Sequence, residues 1–254
     1  MGIFDLFSKE GRAKSALDRH VKKVNDKWAQ SADRFAAMEG LREIGTEAAI
    51  DGLLRRFGYV YDKTIEDEQE KEWVESNLVA LGERALPSVR KYILSGETIS
   101  YPLRVLGQIA KPDKVLAIVD ELCAREEPGY TRHPQKKIQM LSWLGEWSGA
   151  DRVDVGRRII PYLKDFDENV RFAAIDGLAH LKPDESEARG PLIDALVRPE
   201  EESRRIKVRL AEVLAEAGFT IDDTPEHKEA VTKLVAGSLP EFTISQDKLT
   251  KKGK

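Results

Sequence analysis

The four histidines, His20, His133, His180 and His227, are the side chains best suited to bind a metal or relay protons. Each stands dozens of residues from the next, and none has the close spacing of a ligand pair. Structural or solvent-exposed roles are expected for all four. Cys123 is the single cysteine, so no internal disulfide is possible. In "IVDELCAR" it falls at helical spacing as a small core residue, and the neighbouring acids offer nothing to stabilise a thiolate. The chain has no phosphate-binding P-loop, no GxGxxG and no nucleophile elbow. No catalytic residue, cofactor or metal is therefore expected.

Two stretches carry more suggestive groups. In "GYVYDKTIEDEQEKEW", residues 58–73, Tyr59 and Tyr61 precede a run of acids that includes Glu66, Asp67 and Glu68. In "EEPGYTRHPQKK", residues 126–137, Tyr130, Arg132 and His133 lie close together. One is acidic and the other basic, which is the chemistry of partner docking. The alternative is local: the acids open a helix, where its dipole favours them, and the tyrosines pack over the turn.

The chain has 254 residues, of which 41% are hydrophobic and 34% charged, enough for a sizeable core beneath an unusually polar surface. Its net charge is -4, so general attraction to nucleic-acid phosphates has no support and nucleic acid is not an expected partner. The charge is uneven. Residues 1–27 hold seven Lys/Arg against four Asp/Glu, and residues 245–254 hold four Lys against one Asp. No apolar run approaches the ~18 residues that span a bilayer. With no secretory pattern at the start, a cytoplasmic, reduced location is expected.

The elements that must position these groups are helices. Second helices of successive pairs are expected at 33–45, 72–82, 99–111, 135–147, 169–182 and 204–218. Leu41, Leu78, Leu106, Leu141, Leu178 and Leu214 align at spacings of 37, 28, 35, 37 and 36. First helices fall at 47–57, 86–94, 113–123, 153–163, 191–197 and 226–237. Asp184 with Glu187 has capping-box spacing, and Thr224 before Pro225 predicts a helix start. Glycines within the helices, as in "LGE" and "DGL", each cost about 1 kcal/mol against alanine, which close helix packing can offset. Ahead of the pairs, Leu17, Val21, Val24 and Trp28 mark a capping helix. "FTIS" at 242–245 is too short to argue for a sheet, and the basic tail 245–254 is expected to be disordered.

The stretch Asp165 to Leu181, with Asp165 at a turn, Val170 and Arg171 five and six residues on, then small residues and Leu178, resembles a HEAT repeat. The resemblance covers about 33–237 as architecture. It implies an all-α fold, a right-handed α-α superhelix of about six helix pairs, with residues 1–30 as N-terminal segment and cap and 31–244 as the solenoid. It also implies kinship with bacterial HEAT-repeat proteins of unassigned role, acting as protein-binding scaffolds without catalysis, here favoured as a monomer. If the array is regular, the turns at 58–73 and 126–137 emerge on one edge.

Two resemblances offer other functions. In alkylation-repair DNA glycosylases with HEAT-like helices, aromatic residues and an Asp in a basic groove handle a damaged nucleotide; Trp143 and Trp147 share a helical face here and Asp151 follows. The acidic interior speaks against such a groove. HEAT-like lyases that attach bilin pigments are also similar, with no pigment site evident. Finally, Ile3, Phe4, Leu6 and Phe7 precede Lys9, Arg12 and Lys14, so residues 3–14 could seat shallowly in an anionic membrane.

Overall fold

Helices follow one another at short intervals, as the apolar periodicity requires. The structure is a computed structural model that describes residues 3–222 and 224–253, with the side chains of 3–9 not described. The membrane-seating residues Ile3, Phe4, Leu6 and Phe7 thus lie outside the described side chains. The chain divides into two compact units, Met1–Leu122 and Cys123–Lys254.

In the first unit, α1 (Ile3–Val24) precedes α2 (Ser31–Ile44), α3 (Glu47–Leu54), α4 (Thr64–Leu81), α5 (Leu86–Ser95), α6 (Ser100–Ile109) and most of α7 (Pro112–Arg125). Helices α2, α4 and α6 pack side by side in one layer, and α3 packs on α5 in the other. Buried Leu41, Leu53, Val74, Leu78, Val89, Ile93, Leu103 and Leu106 fill the space between. Neither layer can hide its apolar stripe alone, so each pair depends on the next.

The second unit repeats this plan with α8 (Gln135–Glu146), α10 (Glu168–Leu181) and α12 (Arg204–Ala217) in one layer. Its other layer holds α9 (Arg152–Ile159), α11 (Glu185–Val197) and α13 (Pro225–Gly237). As expected, Thr224 caps α13 by accepting from the His227 amide, with Pro225 as the first helical residue. The capping box at Asp184 does not form; Glu187 pairs with Arg157 instead.

Close packing through glycine occurs between α8 and α10. A Cβ on Gly145 would lie 2.5 Å from the Gly177 Cα, and one on Gly177 would lie 3.0 Å from the Leu141 carbonyl oxygen. The obstacle is backbone, which cannot swing aside. Gly145→Ala should therefore destabilise by about 1–3 kcal/mol, although alanine is the better helix former by about 1 kcal/mol. Urea unfolding checks this, and a stabilised variant would contradict the contact.

Three expectations are corrected. The tail is not disordered: β1 (Phe242–Ser245) pairs antiparallel with β2 (Lys248–Lys251), β1 packing on α13 and β2 on α12. Phe242 and Leu249 are buried beneath it, while Lys251 reaches Glu212 and Lys228 reaches Asp247. Two inward apolar residues are thus enough when a helix layer stands ready to receive them. Trp28 is not on the capping helix, which ends at Val24; Asp26 accepts the Trp28 amide in a turn and leaves the indole 81% exposed. Helix α4 begins at Thr64, eight residues before the expected 72, because its acidic first turns are helical.

Candidate functional site

The turn between α3 and α4 is built on a buried ion network. Arg56 donates from Nε to Glu70 and from Nη2 to Asp67, both at 2.6 Å. Arg34, from α2, donates to both Glu70 oxygens at 2.9–3.1 Å. Lys71 donates to Asp67 at 2.6 Å, and Ser31 to Glu70 at 2.7 Å. All five charged groups are buried. Three cations face two anions, and the excess is met by aromatic faces: the Tyr61 ring lies 4.1 Å from the Arg34 guanidinium, the Tyr59 ring 4.5 Å from that of Arg56. The Tyr59 hydroxyl donates to the Val24 carbonyl at 2.6 Å, and burial pushes its pKa up to about 12.

Burial opposes ionisation of Glu70 and Asp67. Hydrogen bonds from Arg34, Ser31 and Arg56 on the one, and from Lys71 and Arg56 on the other, outweigh it and hold both carboxyls below their ordinary values of 4.5 and 3.8. Because the folded values are depressed, the unfolded chain takes up protons first as pH falls. Their stabilisation is complete above those ordinary values and is lost as pH drops through the depressed ones. Thermal melts should show falling stability below pH ~4, with a shallower acid limb in Glu70→Gln, which lacks one of the two groups. Identical limbs would remove Glu70 as a source.

This geometry settles where the first expected docking turn lies. Asp67 is interior and not available to a partner, and Tyr59 and Tyr61 are half-buried over arginines. The cause is the three-residue step from Asp67 to Glu70, which aims both acids inward while Glu66 and Glu68 turn away. Glu66 accepts from Lys63 at 3.2 Å, and exposed Glu68 accepts from the Tyr101 hydroxyl.

The second turn, between α7 and α8, has a different construction. Lys137 and Asp165 are both buried and joined at 2.8 Å. Lys137 also donates to the Gly129 carbonyl, and the Gly129 amide donates to Asp165 at 3.0 Å. Gly129 has φ +139°, which a side chain would strain. Tyr162 donates to the Glu126 carbonyl at 2.9 Å, fixing the start of the turn. On this base Tyr130 stands 76% exposed and Phe166 70% exposed, ring centroids 5.4 Å apart and edge to face. Tyr130 is also one wall of an open depression of 390 Å³ lined by residues 124–131 and Lys137. Arg132 and His133, which follow in the same turn, are exposed.

Of the repeat motif, Asp165 ties turn to turn, while helix α10 is capped by Asp167, which accepts from the Asn169 and Val170 amides. Val170 and Leu178 are fully buried. Arg171 donates in a fork to buried Glu201, thirty residues on, at 2.7 and 3.0 Å, and to the carbonyls of Asp165 and Phe166. Arg34 does the same at the equivalent place, joining the Ala29 carbonyl behind it to Glu70 ahead. Sequence reasoning missed Arg34, Phe166 and the exposure of Trp28. The available signal for Phe166 was a large aromatic directly after the turn Asp, outside any helical stripe.

Trp143 and Trp147 stack on each other at 5.2 Å, and Asp151 caps α9 by accepting from Val153 at 2.8 Å. His180 meets the Asp176 carbonyl, His227 meets Asp194, and Cys123 lies half-buried 3.7 Å from the Met140 sulfur. Among the described residues no group of three His, Cys, Asp or Glu is placed to hold a metal, and no helix is long and apolar enough to cross a membrane.

Paired helices in two layers within each unit, with the ion pairs Arg34–Glu70, Lys137–Asp165 and Arg171–Glu201 tying neighbouring repeats together, define an all-α, HEAT-like repeat fold. Residues 33–57, spanning α2 and α3, match the family model described as PBS lyase HEAT-like repeat. A solved structure of human deoxyhypusine hydroxylase in complex with glycerol is similar over 91% of this chain and 93% of that one, at 14% identity and a TM-score of 0.33. No curated protein matches in sequence. The family match falls on the first helix pair and not on 165–181, where the sequence motif is fullest. The solved neighbour is an enzyme, so the expectation of a chain without catalytic chemistry is corrected; at so low a score, the likeness carries no argument for any particular activity.

Proposed function

We propose that this chain is a protein-binding repeat scaffold whose contact edge includes the turn of the second unit. The observation that supports the reading is the Tyr130–Phe166 pair, two exposed aromatic rings in contact on a base fixed by buried Lys137 and Asp165. Exposed aromatics held in a set geometry are what binding hot spots require, since little freedom remains to be lost on association. Arg132 and His133 add polar contacts in the same turn. The first turn contributes less, because its tyrosines and Asp67 serve the network beneath it.

Affinity capture with the full chain and with Tyr130→Ser/Phe166→Ser tests this. A stoichiometric protein retained by the first and lost from the second, at unchanged helicity, is the expected result. Equal retention by both would end the assignment of this edge.

A further inference from the structure

Between α10, α11 and α12 the second unit holds a cleft of 370 Å³. Leu178, Leu192, Val213 and Phe219 line it and are all buried, with the small side chains of half-buried Ala179 and exposed Ala217 nearer the surface. The volume falls within the range of small-molecule sites, about 300–1,000 Å³, and apolar walls of this kind bury a ligand's body while a few charged groups fix its orientation. No lining residue is shared with the depression beside Tyr130, so the cleft stands apart from the protein-binding edge.

Charge belongs to the rim. Lys182 and Glu216 are the two charged residues of the lining. Lys182 ends α10 with φ +51°, its amide donating to the Leu178 carbonyl at 3.0 Å, and its exposed ammonium meets no acid among the described residues. A second ammonium stands close by. Lys248 Nζ would lie 3.9 Å from a Cβ on Gly218, the residue between lining Ala217 and Phe219, and it too meets no acid among the described residues. Each lysine stands at the C-terminal end of a helix, Lys182 on α10 and Lys248 beside the Gly218 cap of α12, where the negative pole favours a cation. Glu216 faces Arg209 at 3.9 Å, although that arginine also serves Asp176 at 2.6 Å and Glu212 at 3.5 Å. Two lysines against one acid leave a single positive charge in excess beside an apolar interior.

We infer that this cleft takes a small aliphatic monocarboxylic acid, its tail against Leu178, Leu192, Val213 and Phe219 and its carboxylate at Lys182 and Lys248. A monoanion matches the excess charge, and the apolar walls supply the partner for a hydrocarbon tail. Walls drawn from three helices and the segment after α12 close around one short body, which favours a free acid over the C-terminus of a chain, whose preceding residues would need a groove to lie in.

Isothermal titration of the full chain with octanoate, octanol, octylammonium and an acetylated tetrapeptide ending in leucine provides the test. Octanoate should bind once per chain, and the other three should bind more weakly by roughly tenfold or more, since they lack either the charge or the fit. Lys182→Gln/Lys248→Gln should bring octanoate down to the affinity of octanol and leave octanol unchanged. Ala179→Phe, or Ala217→Phe from its exposed position, should fill the cleft and abolish binding of both at unchanged helicity. Four outcomes would overturn the site: a wild type that gives no octanoate binding, a lysine variant that holds octanoate as tightly as the wild type, filled variants that still bind, or octanol or octylammonium equal to octanoate. Tighter binding of the peptide would overturn the free acid as occupant and give the cleft to a protein C-terminus.

Discussion

Glu70→Gln should lower the unfolding free energy by about 3–5 kcal/mol, because it leaves two buried guanidinium groups short of negative charge. Glu70 is fully buried and accepts from Arg34, Arg56, Ser31 and Tyr61. An amide of the same shape can accept through one oxygen only, and it turns a donor toward a guanidinium. Arg34 and Arg56 then keep the carbonyls of Ala29 and Tyr59, and Arg56 keeps Asp67. Those partners cannot replace a full charge in a buried site. Urea denaturation followed by circular dichroism would measure the change, and a loss below ~1 kcal/mol would mean that the guanidinium groups find other compensation.

Leu178→Ala should cost about 2–5 kcal/mol through lost burial and a residual void. Leu178 is fully buried on α10, between α8 and α12. It borders a cleft of 370 Å³ lined also by Leu192, Val213, Pro183 and Phe219. Truncation would enlarge that cleft where α10, α11 and α12 meet, so neighbouring pairs should loosen along with the mutated one. The expected sign in hydrogen exchange is faster exchange in α11 and α12 as well as α10. A near-neutral thermal shift would contradict the placement of Leu178 at the centre of the unit.

Much of the helix plan was legible because apolar side chains at three- and four-residue steps leave a helix few alternatives. Expected spans at 135–147, 169–182 and 204–218 became Gln135–Glu146, Glu168–Leu181 and Arg204–Ala217. Errors arose where charge carried the structure. The α4 acids looked solvated, and nothing local says that Asp67 turns inward to Arg56 or that Glu70 meets an arginine thirty-six residues away. Lys137 and Asp165 lay in sight, but their union across twenty-eight residues is a tertiary fact. The hairpin was hidden for a related reason: its turn, Gln246–Asp247, adopts φ of +51° and +59° without the glycine that usually announces such a turn. The acid and aromatic content of the turns at 58–73 and 126–137 was plain. Which of those groups face outward was decided by packing partners distant in sequence.

The meeting of Gly145 and Gly177 has a mechanical consequence. With backbone resting on backbone at that crossing, neither helix can slide or roll past the other without a collision that no rotamer change relieves. Under load the second unit should yield elsewhere before it yields there, leaving α8 and α10 to travel as one stiff beam.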